Sequence, residues 1–254
     1  MDRTVGVDIA GSKNTWMTVL NLDPNASKVI VEAPKKQTLE QIIKYCLDVK
    51  NKVQSIVIDA PLSYAIDEEN GIRDCETILR TNLNNNGYNR QYVASSNSLQ
   101  SVVVRGNQLA FELRSNNFKG KIVEIVPRYC LAQLASSTGK SGLIKAIKSY
   151  KVLSKKDKHG KETIVKSSVI KERKMIWDEW WDSYFGAQEG SLLTESFEGK
   201  NHDGFIDAFV CATIGYLLQN NPASILLVPH KPNQSEKRRG FVDGIHILNI
   251  PFPN

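Results

Sequence analysis

Residues 4–59 carry an order of elements that few folds accept. Thr4 to Ile9 is a nearly unbroken apolar run, the pattern of a central strand buried on both faces. Residues 10–14 form a turn, and Thr15 to Asn21 alternates as a second strand. A turn at Asp23, Pro24 and Asn25 precedes a third strand, Ala26 to Ala33. Turns this short make the three strands an antiparallel meander. From Thr38 to Lys50, Leu39, Ile42, Ile43 and Leu47 recur at helical spacing. Thr38 stands as N-cap with Gln41 three residues on. Val53 to Asp59 (VQSIVID) is again a buried strand, and a strand entered from a helix runs parallel to the first.

Beyond this unit, residues 61–120 read as a helical and loop insertion after the fourth strand. It holds a helix over Ser98 to Arg114 and an Asn-rich patch, NLNNNGYN. Lys121 to Val126 is the next strand, followed by helices at Arg128 to Ala135 and Gly142 to Tyr150. Ser154 to Lys166 reads as a basic loop. Val169 to Phe185 is a helix whose Trp177, Trp180, Trp181 and Tyr184 form an aromatic stripe, better used in a core than for base stacking. Asp203 to Leu218 is a long apolar helix and Ser224 to Val228 a final strand. Neither a repeat nor a linker interrupts residues 1–254, and a chain this long buries a sizeable core. The expectation is one α/β domain on a mixed five-stranded sheet, three antiparallel strands and then parallel ones, flanked by helices.

Composition excludes some classes of function. Apolar residues make up 41% and charged residues 24%, ordinary globular values. No signal-peptide core opens the chain and no segment has a membrane-spanning apolar run. The expectation is a soluble, cytoplasmic protein with no membrane partner. None of the four cysteines forms a CxxC pair, and there are only four histidines, which disfavours zinc and a cysteine nucleophile. The net charge is +6, with lysines concentrated between Lys140 and Lys174 and again from Lys231 to Arg239. Such runs are solvated surface when taken singly; together they suit a phosphate backbone.

Against this basic background, carboxylates stand where elements end or begin. Asp8 closes the first strand, Asp59 closes VQSIVID and Glu124 lies in KIVEIV. Asp203 and Asp207 are four apart, on one face of the late helix. Each has a plain structural use: Asp8 and Asp59 can cap turns, and Asp203 fits an N-cap. Jointly, carboxylates at the carboxyl ends of adjoining strands line a crevice and suit Mg²⁺ or Mn²⁺. Two such ions about 3.5–4 Å apart orient a water and steady the leaving oxygen of a phosphodiester.

With Asp8 on the first strand, Asp59 ending the fourth and the pair Asp203 and Asp207 on a late helix, the chain resembles the RNase H-like fold, in the arrangement of RuvC-type resolvases. Its acidic pair is spaced by four where those enzymes have three. Over nearly its whole length it resembles the domain of unknown function 429 family (DUF429) of predicted RNase H-like nucleases. The matching segments are VGVDIAGSKNTW, VIDAPLS, the Arg73, Asp74, Cys75 triplet, KIVEIVPRYC, the stretch from Lys140 to Leu143, HDGFIDAFVCATIGYL and the closing strand from Gly240 to Pro251. The resemblance implies a hydrolase, a Mg²⁺- or Mn²⁺-dependent nuclease acting on DNA or RNA. It implies Asp8, Asp59 and Asp207 as catalytic ligands, with Asp203 or Glu124 as a further metal ligand. Arg73, Lys140, Ser12 and Lys13 are candidate substrate contacts. For Arg73 the alternative is an ion pair holding the insertion; for Lys140 it is a surface lysine at a helix start. A homodimer, as in RuvC-type enzymes, is open.

Two other readings remain. An actin-like or kinase-like ATPase shares the strand order, and GVDIAGSKNTW resembles its first phosphate loop; yet IDAPLS has no glycine and no Gly-Gly occurs. A catalytically inactive nucleic-acid-binding protein could also keep the fold.

Overall fold

The computed structural model describes residues 2–11, 14–22, 29–64, 72–94, 100–151, 167–186, 197, 203–229, 239–240 and 244–252. The opening meander is β1 (Asp2–Asp8), β2 (Trp16–Leu22) and β3 (Ile30–Lys36), antiparallel throughout. Helix α1 (Leu39–Leu47) follows, closed at its N-terminus by the Thr38–Gln41 capping box, and leads into β4 (Val53–Asp59), parallel to β1. Between β4 and the next strand of the main sheet lie β5 (Ser63–Tyr64), α2 (Asp74–Asn85) and α3 (Gln100–Ser115). Then come β6 (Lys121–Ile125), α4 (Pro127–Thr138), α5 (Ser141–Ser149), α6 (Ser167–Phe185) and α7 (Asp203–Asn220). The order closes with β7 (Ile225–Pro229), β8 (Arg239–Gly240) and β9 (Gly244–Leu248).

The main sheet has seven strands in the order β3-β2-β1-β4-β6-β9-β7, while β5 and β8 pair separately. This corrects the five-stranded expectation. The added strands are an antiparallel pair, β7 and β9, joined to the sheet through parallel β6–β9 pairing. Helix α2 was also not foreseen. Its C-terminal turn is the Asn-rich patch, whose polarity hides the helical spacing of buried Cys75, Leu79 and Leu83. The basic loop at 154–166 lies outside the described residues.

Strand pairing in register gives the two faces of the sheet different cores. Val5, Val7, Ile56, Ile58 and Ile122 face one side, covered by α1 and α3. Val57, Val123 and Ile125 face the other, covered by α2, α4, α5, α6 and α7. The aromatic stripe of α6 belongs to this second core, where Trp177 stacks on Phe209 of α7 at 3.9 Å between centroids. The four cysteines are free and buried.

Helix α7 is apolar all round and lies directly on β1, β2 and β4, buried from Gly204 to Gly215. Glycines permit the approach. A Cβ on Gly6 of β1 would overlap the Ala208 carbonyl oxygen and the Ala212 nitrogen, and one on Gly215 would overlap the Thr4 hydroxyl. At Gly6 strand backbone meets helix backbone, so no side chain can yield; at Gly215 the atoms in the way are the side chains of Thr4, Ser55 and Val57. Gly6→Ala is expected to destabilise the protein by about 3 kcal/mol, through overpacking of this contact, in a urea titration. Ala substitution at Gly11, where a Cβ meets nothing within 4 Å, serves as the control.

Candidate metal centre

The close seat of α7 on the sheet sets the geometry of the acidic cluster. In the parallel register of β1 and β4, Asp8 is the partner of Asp59, so both carboxylates leave the same face at adjacent strand ends. That face is the one α7 covers. Asp207, one turn into α7, comes down over the pair, and Cys211 one turn later donates its Sγ–H to the Val7 carbonyl at 3.6 Å. Gly204 lets the first turn of α7 close on Asp8, because a Cβ there would overlap Asp8 Oδ2 and the Trp16 ring. One carboxylate oxygen from each of Asp8, Asp59 and Asp207 lies within 4.8 Å of the others.

Packing three carboxylates this closely is costly. Burial, then the charges of Asp207 and Asp59, push Asp8 well above the usual carboxylate range, against the opposing charge of Lys151. Burial likewise pushes Asp59 up to about 7, with Lys151 pulling it down and Asp207 pushing it up. Burial and the Asp207 charge thus raise the proton affinity of both strand-end carboxylates.

Lys151 supplies the positive charge present. Its Nζ is 2.5 Å from Asp207 Oδ2, with the lysine side chain 32% exposed and the aspartate 1%. Burial works against the ammonium, but Asp207, Tyr150, Asp59 and Asp8 outweigh it and hold its pKa well above the usual lysine range. Tyr150 donates its hydroxyl to Asp207 Oδ1 at 2.7 Å. Burial and the Asp207 charge keep that phenol protonated well beyond its ordinary range. Fully buried Arg173 of α6 steadies this corner, donating to the Tyr150 carbonyl at 3.1 Å. Tyr150 and Lys151 were not foreseen from the sequence. Nothing distinguishes Lys151 from the other lysines between 140 and 174, and only its place beyond the end of α5 brings it to Asp207.

The other candidates sit differently. Asp203 lines the crevice with Asp8 and Asp59, and its Oδ1 is 3.9 Å from an Arg173 nitrogen. Burial raises its pKa, with Lys151 opposing. Glu124 is not brought into the triad. It pairs in register with Ile58 and not with Asp59, so it projects from the opposite face of the sheet. There it takes a bidentate ion pair from Arg73, at 2.6 and 3.0 Å, and accepts the Leu62 amide at 2.7 Å.

Arg73 is buried and ion-paired, and it also lines the crevice above Asp8 and Asp59. It is 4% exposed, and its guanidinium also reaches Glu76 at 2.8 Å and Ser63 at 3.0 Å. It therefore pins the start of α2 to β6, through Glu76 and Glu124 and not through Asp74. Lys140 is 60% exposed and pairs with Glu179 of α6 at 2.6 Å, away from the crevice lining. Ser12 and Lys13 lie outside the described residues.

The crevice above the carboxylates holds about 570 Å³ and is walled by Gly11, Tyr92, Arg128 and Lys151 among others. A second cavity of about 630 Å³, beside Tyr129, Gln133 and Phe252, contains neither carboxylate nor amine. Of these two cavities, the one at the strand ends is the one lined by carboxylates and amines.

Comparison with known proteins agrees with the resemblance of the motifs. The family described as "Protein of unknown function (DUF429)" has a sequence model that matches residues 6–233, a span containing Asp8, Asp59, Asp207, Arg73 and Lys151. No curated protein matches the chain.

Two outcomes are expected. Asp59 has an ordinary pKa of 3.8 and is pushed up to about 7 on folding, so the folded state keeps a proton that the unfolded chain has lost across that interval. Its contribution to stability is complete below pH of about 4 and is lost as pH rises through about 7. In chelator-containing buffer, Tm should fall between about pH 4 and 7, and Asp59→Asn should flatten that slope. Arg73→Met leaves two buried carboxylates uncompensated and should cost about 3–5 kcal/mol in equilibrium denaturation.

Proposed function

This chain belongs to the DUF429 family, and we propose that it is a metal-dependent nuclease hydrolysing phosphodiester bonds of DNA or RNA. The observation that carries this reading is the convergence of Asp8, Asp59 and Asp207 from two strand ends and a helix to within 4.8 Å. The finer description of the fold, an RNase H-like core of β1, β2, β3, α1 and β4, belongs to the same proposal. The β7–β9 pair and the segment between β4 and β6 are elaborations of that core.

The donor set fits a hard divalent cation. It consists of carboxylate oxygens and carries no thiol or imidazole, which suits Mg²⁺ or Mn²⁺. The raised pKa values of Asp8 and Asp59 and the ammonium at Asp207 are what a cation site looks like with its charge met by protons and a lysine. Asp8, Asp59 and Asp207 would hold the ion, with Asp203 close enough to the crevice to orient its water. When bound, the ion would polarise a phosphoryl oxygen and lower the pKa of water.

The chain's own groups set the conditions for that chemistry. Tyr150 fixes the rotamer of Asp207 through its hydroxyl. The Arg73–Glu124 pair holds the Leu62 amide and so shapes the wall beside Asp59. A net charge of +6 draws a polyanion towards a crevice whose floor is acidic and whose wall carries Arg128 and Lys151. An acidic floor repels phosphate unless cations occupy it, so the reading requires metal for substrate binding as well as for hydrolysis.

Mn²⁺ or Mg²⁺ is expected to raise Tm in wild-type protein by several degrees and to leave Asp8→Asn unmoved. The shift should grow from about pH 6 to 8, because the ion must displace the protons held by Asp8 and Asp59. Single-stranded, duplex, hybrid and branched oligonucleotides should show cleavage that depends on metal and on Asp8. An unchanged panel together with ATP hydrolysis would transfer the assignment to the kinase-like ATPases.

A further inference from the structure

Both oxygens of Asp207 are engaged. Oδ1 accepts from buried Tyr150 at 2.7 Å, and Oδ2 faces the Lys151 ammonium at 2.5 Å. Tyr150 cannot leave, since its side chain is fully buried. Lys151 can, since its side chain keeps about a third of its surface in solvent, and its long stem has an aqueous crevice to move into. The ammonium also feels Asp59 and Asp8, so its charge serves the whole triad and not Asp207 alone. Arg173 holds the Tyr150 carbonyl, which places the next residue's side chain above the cluster.

We propose that Lys151 is a tethered cation that occupies the charge position of a divalent ion at Asp207 and gates entry of that ion. The inference rests on the reading of the triad as a metal centre. In the metal-free protein Lys151 neutralises part of the cluster and keeps it folded. A divalent ion sharing Asp207 Oδ2 must first displace the ammonium, and it pays both the lost ion pair and the repulsion of a neighbouring positive charge. Weak occupancy in the absence of substrate follows. A phosphate-bearing substrate that draws the displaced ammonium to itself removes that penalty, so polyanion and metal bind with positive coupling.

The test is Mn²⁺ titration calorimetry on the full chain. Lys151→Met is expected to bind Mn²⁺ about tenfold more tightly than wild type, from loss of a unit charge next to the site. Lys151→Arg, which keeps the charge, should stay near the wild-type Kd. Melting of each metal-free variant separates folding from binding: Lys151→Met should melt lower than wild type without metal, yet gain more from it. A wild-type measurement needs no variant. Acetylation of Lys151 by acetic anhydride, read by mass spectrometry, should rise several-fold when Mg²⁺ saturates the site. Equal or weaker Mn²⁺ binding by Lys151→Met, or unaltered acetylation, overturns the gate while leaving the metal centre standing, provided wild type binds Mn²⁺ and Asp8→Asn does not. Absence of Mn²⁺ binding in wild type and in Lys151→Met alike overturns both.

Discussion

The contact of α7 with β1 is the constraint on which the rest of the structure depends. A helix that is apolar on every side has to be surrounded, and α7 is surrounded by the sheet beneath and by α4 and α6 around it. Gly6 lets its backbone come directly against β1, and Gly215 lets it settle onto the side chains of Thr4, Ser55 and Val57. That proximity sets the depth at which Asp207 sits. A helix held one side-chain layer further away would carry Asp207 out of reach of Asp8 and Asp59, and the carboxylates would be three separate caps.

The same closeness creates an electrostatic problem that the protein meets in three ways. Asp8 and Asp59 have their proton affinity raised by burial and by the charge of Asp207. Tyr150 donates a hydrogen bond from a phenol that burial prevents from ionising. Lys151 contributes a full positive charge. At the same end of the sheet the parallel problem of Glu76 and Glu124 is met by one residue, Arg73, whose planar guanidinium serves both carboxylates at once. The difference in solution matches the difference in use. Arg73 is locked by five donors in a buried network and has nowhere to move. Lys151 makes one ion pair at the margin of an open crevice, and its charge can be exchanged for another.

Much of the fold was legible because it rests on local patterns. The meander, α1 with its capping box and the buried β4 follow from apolar runs, turns and one cap. Helix α2 was obscured because its core contacts are three residues in an Asn-rich background. The closing strand that contains β9 was named but not counted in the sheet, because its parallel partner β6 is distant in sequence. In the site, Asp8, Asp59 and Asp207 were legible as polar residues ending or opening apolar elements. Glu124 stands apart from the three-carboxylate group for a reason of parity, although it lines the same crevice. Its distance from the strand end is one residue different from that of Asp59, and side chains alternate along a strand, so it faces the opposite core. Arg73 was recognised as a choice between substrate contact and structural tie; it is buried against Glu76 and Glu124 and also lines the crevice.

The sequence by itself determined the order of elements from β1 to β4, the carboxylates at the ends of elements and the family, since these are properties of neighbours along the chain. Only the tertiary structure decided which carboxylates meet and what stands beside them. Inter-strand register puts Asp8 beside Asp59 and turns Glu124 away, and the glycine-lined seat of α7 lowers Asp207 onto the pair. Lys151 reaches Asp207 because Arg173, from another helix, holds the carbonyl of Tyr150. Those are meetings between residues far apart in the chain, and no local pattern records them.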